Sequence, residues 1–214
     1  NRLKLQFVEP GNPIPADTKL IIIPGTKSTI ADLKFLKYQG WDIDIKAHYR
    51  RGGSILGICG GYQILGNEII DDQGYDGTPS KAKGLGLLNV KTKMGKEKNL
   101  GKKEFISTIN GKKISGYEIH LGITSGSDCN NPFAILGNRK DGAISSNGLV
   151  MGTYLHGLFF SDEFRNNFVA KLSSEEKKED ISFHDSIEFI LEEFVRVIED
   201  NLDVDSILSV ARNI

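Results

Sequence analysis

The segment that most constrains the fold of this chain is residues 55–66, with the sequence ILGICGGYQILG. A short apolar run leads into Cys59, glycines follow it, and a helical pattern comes next. An apolar run of this length predicts a strand covered on both faces. A sharp strand-to-helix turn is the usual support of a catalytic nucleophile. Gly57 and Gly61 flank Cys59 symmetrically and would allow the turn to be tight enough to expose the thiol.

The residues before this segment predict an α/β domain. The apolar run 20–23 and the run 54–58 are separated by helical patterns at 29–39 and 41–51, and such alternation predicts a mostly parallel sheet flanked by helices. Thr29, with Asp32 three residues later, predicts a capping box at the start of the first of these helices.

Weaker patterns cover the rest of the chain. We expect a domain core at about 1–172 and a C-terminal helical tail at about 182–214, joined by a charged linker at 173–180. Helices are predicted to begin after Ser161, Ser182 and Asp203. The predicted strands are 3–8, 85–94, 103–109, 117–121 and 132–136, with a hairpin about Asn147-Gly148.

The composition excludes several classes of protein. Lys plus Arg is 27 and Asp plus Glu is 28, so the net charge of -1 predicts binding neither to nucleic acid nor to an anionic membrane surface. No apolar run approaches the roughly 20 residues that cross a bilayer. Two cysteines make no disulfide framework and favour a reducing cytoplasm. No metal site is predicted.

The position of Cys59 predicts its chemistry. At a helix N-terminus, the dipole and the unpaired N–H groups are expected to lower the pKa of a thiol. The N–H of Gly60 would point to a developing oxyanion, and the N–H of Gly25, after the neighbouring strand, would be the second donor. Loss of one such donor costs about 3–4 kcal/mol. A buried packing cysteine is the alternative, but the glycine-flanked turn favours a nucleophile.

A thiol nucleophile needs a base, and the chain has four histidines. His156 ends the predicted strand 150–155 in front of Gly157, which places it at the sheet edge, and it is our candidate. His120, at the end of 116–122, is the second candidate, although an ordinary hydrogen-bonded histidine explains it equally well. His48 is predicted to lie on the surface and His184 in a helix cap.

These motifs together resemble the class I (triad) glutamine amidotransferase domain of the cobyric acid synthase family. The resemblance rests on segments spread along most of the chain in the family's order, and it implies a flavodoxin-like fold. The matching segments are PGTKSTIADL at 24–33, LGICGGYQILG at 56–66, GYEIHLG at 116–122 and GTYLHGLF at 152–159.

The resemblance implies roles for individual residues. Cys59 would take up the glutamyl group as a thioester and His156 would transfer the proton, with Gly25 and Gly60 as oxyanion donors. Gln63 matches a position that holds substrate glutamine, although it could equally be a helix-surface residue. Glu118 and His120, in the third segment, are assigned to substrate binding with it.

One departure from the broader class concerns the third member of the triad. Leu158 stands where most triad enzymes carry a carboxylate, two residues after the histidine. Either another acid orients His156, with Glu118, Asp162 and Glu163 as candidates, or the site works as a dyad.

The family's complete enzyme also has an N-terminal ATP-dependent synthetase domain, which uses ATP and Mg²⁺. This chain lacks the Gly-x-x-x-x-Gly-Lys-Ser/Thr loop. We therefore expect it to be the glutaminase portion of a longer protein. That portion would have no cofactor of its own, and its partners would be glutamine and the synthetase domain that binds the corrinoid.

Three alternatives remain open from the sequence. The first is a related glutaminase, either of cobyrinic acid a,c-diamide synthase or of a peptidoglycan-precursor amidotransferase. The second is a cysteine peptidase or deglycase built on the same turn. The third is a catalytically silent binding domain.

Overall fold

A computed structural model describes residues 4–173 and 182–212. The chain divides into two compact units, Asn1–Glu175 and Glu176–Ile214. The helices of the first unit are α1 (Thr29–Tyr38), α2 (Trp41–Arg50), α3 (Gly60–Leu65) and α4 (Asp162–Ser173). Its strands are β1 (Leu20–Ile23), β2 (Ser54–Ile58), β3 (Glu68–Asp71), β4 (Ser80–Lys83), β5 (Val90–Ser107), β6 (Lys113–Gly126), β7 (Ala134–Leu136), β8 (Arg139–Asp141), β9 (Ala143–Ile144), β10 (Val150–Thr153) and β11 (Leu155–His156).

The first sheet has the strand order β1-β2-β10-β9 and is the predicted parallel sheet. β2 runs parallel to β1 and to β10, and β9 joins β10 antiparallel. Ile55 and Leu56 of β2 are fully buried, as expected of a central strand covered on both faces. The predicted hairpin at Asn147-Gly148 is the turn between β9 and β10. The predicted α/β class is therefore confirmed.

The second sheet was not predicted. Its order is β11-β6-β5-β3-β4, with β7 and β8 attached through β5, and most of its pairs are antiparallel. The separate strands expected at 85–94 and 103–109 are replaced by the single strand β5, which pairs with β6 along its length and has an irregularity between Lys93 and Lys98. Its many Lys and Gly residues are poor strand formers, so the pairing with β6, not local propensity, determines this strand.

The two sheets are joined where the chain passes from β10 to β11. Thr153 pairs with Ile58 in the first sheet, and only Tyr154 separates it from Leu155, which pairs with Glu118 in the second sheet. β2 ends at Ile58 and the next residue is Cys59. The crossing therefore brings His156, at the end of β11, to the edge of the first sheet where Cys59 lies.

Some predicted elements differ from the structure. Residues 4–8 form no strand, and Leu5 and Phe7 are 75% and 80% exposed, because no neighbouring strand pairs with them among the described residues. The capping box at Thr29 is wrong. The N-cap is Ser28, and the Thr29 hydroxyl donates instead to Gln63 Oε1 at 3.1 Å. Most of the predicted linker, from residue 174, lies outside the described residues.

The second unit consists of α5 (Phe183–Asn201) and α6 (Val204–Arg212). Ser182 caps α5 by accepting a hydrogen bond from the backbone N–H of Asp185, as predicted. Many apolar side chains of both helices are exposed, including Phe189 and Phe194 of α5 at 64% and 60%. Among the helices of the described residues, none combines the length and the apolar character that crossing a bilayer requires.

The part of the core beneath the second sheet is aromatic. Phe164 of α4 is fully buried, and its ring lies 6.0 Å from that of Phe133 and 5.5 Å from that of Phe168. This cluster fixes α4 against the strands.

Replacing Phe164 with Ala should lower the free energy of unfolding by about 3–5 kcal/mol, because it removes a buried ring and leaves a cavity. Tyr38→Ala is the matched control, since Tyr38 is 85% exposed, and it should change stability by less than about 0.5 kcal/mol. Urea denaturation followed by circular dichroism measures both. Equal effects of the two substitutions would contradict the assignment of Phe164 to the core.

Candidate active site

The predicted sharp turn is present at Cys59. Its backbone has φ 54° and ψ -112°, and it is the only non-glycine with positive φ among the described residues. A Cβ at Gly61 would lie 2.0 Å from the Ile23 carbonyl oxygen, and one at Gly57 would lie 2.6 Å from the Gly61 oxygen. Side chains are therefore excluded at both flanking positions. A strained backbone of this kind costs on the order of 1–3 kcal/mol and is typical of functional sites.

Cys59 and His156 meet at one backbone carbonyl. The Cys59 thiol donates to the Ile119 oxygen at 3.3 Å, and the same carbonyl interacts with the His156 ring. Gly25 lies beside both residues. A Cβ built on it would be 3.4 Å from Cys59 Cβ and 2.9 Å from His156 Cε1. The structure therefore brings the predicted nucleophile and base together, next to a residue whose lack of a side chain leaves the space between them open.

The electrostatics of the resting pair differ from the sequence prediction. Burial raises the pKa of the Cys59 thiol, and the backbone N–H of Gly60, which lowers that pKa, does not offset the effect. Nearby Asp76 raises the pKa further. The predicted lowering is thus wrong for this state, because Cys59 is only 7% exposed and a thiolate there would lose its hydration.

The surroundings of His156 favour its uncharged form. Burial lowers the pKa of its imidazole, and the Ile119 carbonyl opposes that shift. Its Nε2 is buried and has no hydrogen-bond partner among the described residues. The resting site therefore holds a neutral thiol beside a neutral imidazole that has a free nitrogen.

The three carboxylates proposed as triad members lie against basic side chains. Glu118 accepts two hydrogen bonds from Arg139, at 2.6 and 2.8 Å. Asp162 pairs with Arg165 at 2.6 Å and Glu163 with Lys112 at 3.3 Å. The neighbours of His156 are instead the Ile119 carbonyl and the Tyr117 ring, which stacks on the imidazole at 5.2 Å.

Gln63 is buried within the protein and is not a surface residue. Its Nε2 donates to the Leu121 carbonyl at 3.0 Å and to Tyr154 Oη at 3.2 Å, and its Oε1 accepts from Thr29. It therefore ties α3 to α1, β6 and Tyr154 behind Cys59. In this state its amide is fully engaged with the protein.

Glu118 and His120 lie on the inner face of β6 and line a cavity of about 210 Å³ together with Arg139, Asp141 and Tyr154. His120 lies within β6 and not at a strand end as predicted, because β6 continues to Gly126. Its ring stacks on Tyr154 at 3.7 Å, burial lowers its pKa, and its Nδ1 is buried without a partner in the described part of the chain. Neither Cys59 nor His156 lines this cavity.

The two predicted oxyanion donors, Gly25 and Gly60, both lie next to Cys59. Gly25 lies beside Cys59 Cβ, and a Cβ on Gly60 would lie 3.1 Å from the backbone nitrogen of Thr26. The loop after β1 and the start of α3 are therefore packed closely together next to Cys59. This arrangement could place two backbone donors near one oxygen atom.

The other histidines lie elsewhere. His48 is buried, not on the surface as predicted, and its Nε2 is 3.0 Å from the Ser54 carbonyl. The side chain of His184 falls outside the part of the chain that is described. Throughout residues 4–173 and 182–212, no group of three or more His, Cys, Asp or Glu side chains could hold a metal ion.

Thr153, Tyr154 and Asp141 were not predicted as site residues: Thr153 and Tyr154 bond to Cys59 and Gln63, and Asp141 bonds to Thr153. Tyr154 lies within the segment that carries His156, and Asp141 precedes a turn glycine, so both positions were visible in the sequence. Their contacts depend on how the chain passes from the first sheet to the second, and only the structure shows this passage.

The family of the chain follows from comparison with known proteins. Residues 1–164 match the model of the CobB/CobQ-like glutamine amidotransferase domain. The chain belongs to this family. The match includes the turn at Cys59 and the strand that carries His156.

Curated relatives include cobyric acid synthases. The one from Cereibacter sphaeroides (strain ATCC 17025 / ATH 2.4.3) is 48% identical over 210 residues, and the one from Bradyrhizobium diazoefficiens is 49% identical over 208 residues. The matches cover 98% and 97% of this chain but only 43% of each relative. The chain thus spans less than half the length of these relatives.

A solved structure described as a glutamine amidotransferase aligns with a TM-score of 0.53 at 19% identity. The alignment covers 75% of this chain and 82% of that one. It supports the fold alone.

The raised pKa of Cys59 should appear in its alkylation. In a Cys129→Ser background, reaction with iodoacetamide without glutamine should have its pH midpoint above that of an ordinary cysteine thiol, because the buried site disfavours the thiolate. Mass spectrometry of the modified Cys59 peptide across a pH series measures this, with glutathione as the reference thiol. A midpoint below that of glutathione would show that the helix N-terminus dominates after all.

A methyl group at Gly25 should disturb the pair directly. In Gly25→Ala the new Cβ would lie 2.9 Å from His156 Cε1, so the ring must move, and glutaminase kcat should fall by about 10- to 100-fold. Gly95→Ala is the control, since a Cβ there meets nothing within 4 Å. Steady-state glutamate release measures both variants, and wild-type kcat in Gly25→Ala would refute the placement of His156.

Proposed function

We propose that the chain hydrolyses glutamine, with Cys59 as nucleophile and His156 as general base and acid. The observation that carries this proposal is that the strained, glycine-flanked Cys59 and the His156 imidazole meet at the Ile119 carbonyl, while His156 Nε2 has no partner among the described residues. A buried packing cysteine has no need of a strained backbone or of an imidazole with an unsatisfied nitrogen.

The neutral resting pair suggests the order of the steps. When glutamine enters, the thiol proton passes to His156 and the sulfur attacks the side-chain amide carbon. The amide oxygen becomes an oxyanion, which the N–H groups of Gly25 and Gly60 would stabilise. Collapse of this intermediate breaks the C–N bond, and His156 returns the proton to the departing nitrogen, so that ammonia and a thioester form. Water, activated by His156, then releases glutamate and restores the thiol.

We assign the holding of glutamine to the loop after β1, to Glu118 and His120 of β6, and to Gln63 of α3. Gln63 would have to exchange one of its internal hydrogen bonds to reach the substrate directly. In the resting state it supports the site by holding Tyr154 and Thr29 in place.

We further propose that the ammonia serves a cobyric acid synthase. Its synthetase portion would amidate adenosylcobyrinic acid a,c-diamide with ATP and Mg²⁺. Identities of 48% and 49% to curated cobyric acid synthases support this choice over the related glutaminases. The share of those relatives that lies outside the match is long enough to provide a synthetase domain, which would be the partner of this chain.

Replacing Cys59 with Ser should abolish glutaminase activity while leaving ammonia-dependent synthesis intact. The hydroxyl is a far weaker nucleophile in this setting, whereas ammonia supplied directly bypasses the site. The measurement is corrinoid amidation by the full-length protein with glutamine or with ammonium chloride as nitrogen source.

Cys129→Ser is the matched control, and it should retain both activities, since Cys129 lies on the polar loop after β6 and contacts Tyr62. Equal loss of both activities in Cys59→Ser would contradict the assignment. Cleavage of peptides or glycated amines by the wild-type protein, without glutamine hydrolysis, would favour the peptidase or deglycase alternative.

A further inference from the structure

The crossing from β10 to β11 is held by a buried carboxyl group that has no part in the steps above. Asp141, at the end of β8, is 4% exposed. One of its oxygens accepts a hydrogen bond from Thr153 Oγ1, and the other accepts one from the Tyr154 backbone N–H at 3.2 Å. Burial raises the pKa of this carboxyl to about 6. Both bonds are formed at the two residues where the chain changes sheets.

Thr153 connects Asp141 to Cys59 and to the strand that carries His156. Its hydroxyl oxygen also accepts a hydrogen bond from the Leu155 N–H at 3.0 Å, immediately before His156. Its carbonyl accepts a hydrogen bond from the Cys59 N–H at 2.8 Å. Cys59 and the strand that carries His156 are therefore both bonded to Thr153, and Thr153 is bonded to Asp141.

Side-chain bonds matter here because the crossing lies outside the regular ladders. Tyr154 belongs to neither β10 nor β11, so no ladder fixes its backbone. A change of a few tenths of an ångström at this point would alter the separation of Cys59 and His156. Misplacement of reacting groups by about 1 Å can cost on the order of 100-fold in rate.

We propose that Asp141 is a positioning residue, which acts through Thr153 to set the placement of His156 relative to Cys59. This proposal rests on the proposed glutaminase function. The carboxylate touches neither the substrate nor the reacting atoms.

The test compares Asp141→Asn, Thr153→Val and Thr153→Ser in the full-length protein. Asn keeps the shape of Asp141, but its amide group cannot accept both hydrogen bonds, and Val removes only the hydroxyl of Thr153. Each of these two variants should lower glutaminase kcat by about tenfold or more, with a smaller change in KM for glutamine. Thr153→Ser, which keeps the hydroxyl, should retain most of the activity. The double variant Asp141→Asn/Thr153→Val should lose less activity than the product of the two single losses predicts, because both substitutions break the bond between Asp141 and Thr153.

Ser145→Ala is the matched structural control. Ser145 is 6% exposed, and its Oγ accepts a hydrogen bond from the Val150 N–H at 3.0 Å, at the opposite end of β10. This variant should lose thermal stability to a similar degree and keep kcat within about twofold. The two hydrogen bonds of the Ser145 hydroxyl, from the Val150 N–H and to Asn147 Oδ1, lie away from Cys59 and His156, so their loss should act on stability alone.

A second readout does not depend on glutamine. The pH profile of Cys59 alkylation should shift in Asp141→Asn and Thr153→Val and match the wild type in Ser145→Ala. Absence of glutaminase activity in the wild-type protein would overturn the proposed function, whereas this profile would still test the positioning.

The proposal is overturned if Asp141→Asn keeps kcat and the alkylation profile of the wild type. It is also overturned if Ser145→Ala loses as much kcat at an equal loss of melting temperature. Should Asp141→Asn fail to fold, Thr153→Val decides by the same criteria.

Discussion

The site depends on the hydrogen bond between the Cys59 N–H and the Thr153 carbonyl, 2.8 Å long. It closes the ladder between β2 and β10 at the last point where the two strands run together. Immediately beyond it, the segment after β2 turns into α3, and the segment after β10 crosses to the second sheet. Cys59, the proposed nucleophile, and His156, the proposed base, lie on the two segments that separate at this point. Their proximity is thus a property of the ladder, and the conformations of flexible side chains contribute little to it.

The second sheet contributes mainly backbone to this arrangement. β6 presents the Ile119 carbonyl to the thiol and the imidazole and the Leu121 carbonyl to Gln63. Main-chain oxygens leave no trace in side-chain composition. This is why the missing carboxylate after His156 appeared as a gap in the sequence. In the structure a carbonyl lies against the imidazole, and the stacked Tyr117 ring contacts its face.

A feature could be predicted from the sequence when the residues that determine it lie close together along the chain. The turn at Cys59 is encoded locally, by glycines whose missing Cβ atoms admit the Ile23 and Gly61 oxygens, so the pattern was sufficient. The strand end at His156 was equally local.

β5 could not be predicted as one strand, because its Lys- and Gly-rich sequence is held by β6 over its whole length. The buried state of Cys59, which raises the pKa of its thiol, depends on neighbours distant in sequence, and the helix-terminus argument alone gave the wrong sign. The role of Asp141 could not be predicted for the same reason, since its partners lie 12 and 13 residues further along the chain.

The hydrogen bond from the thiol to the Ile119 carbonyl also bears on oxidative damage. Peroxides attack thiolates that solvent can reach and convert them to sulfenic and then to higher acids. Cys59 is 7% exposed, and burial favours its protonated form. Without substrate, the buried and protonated Cys59 thiol is therefore expected to react slowly with peroxide. In the proposed mechanism the sulfur would lose its proton only when glutamine lies against it, so that the substrate would then shield it from peroxide.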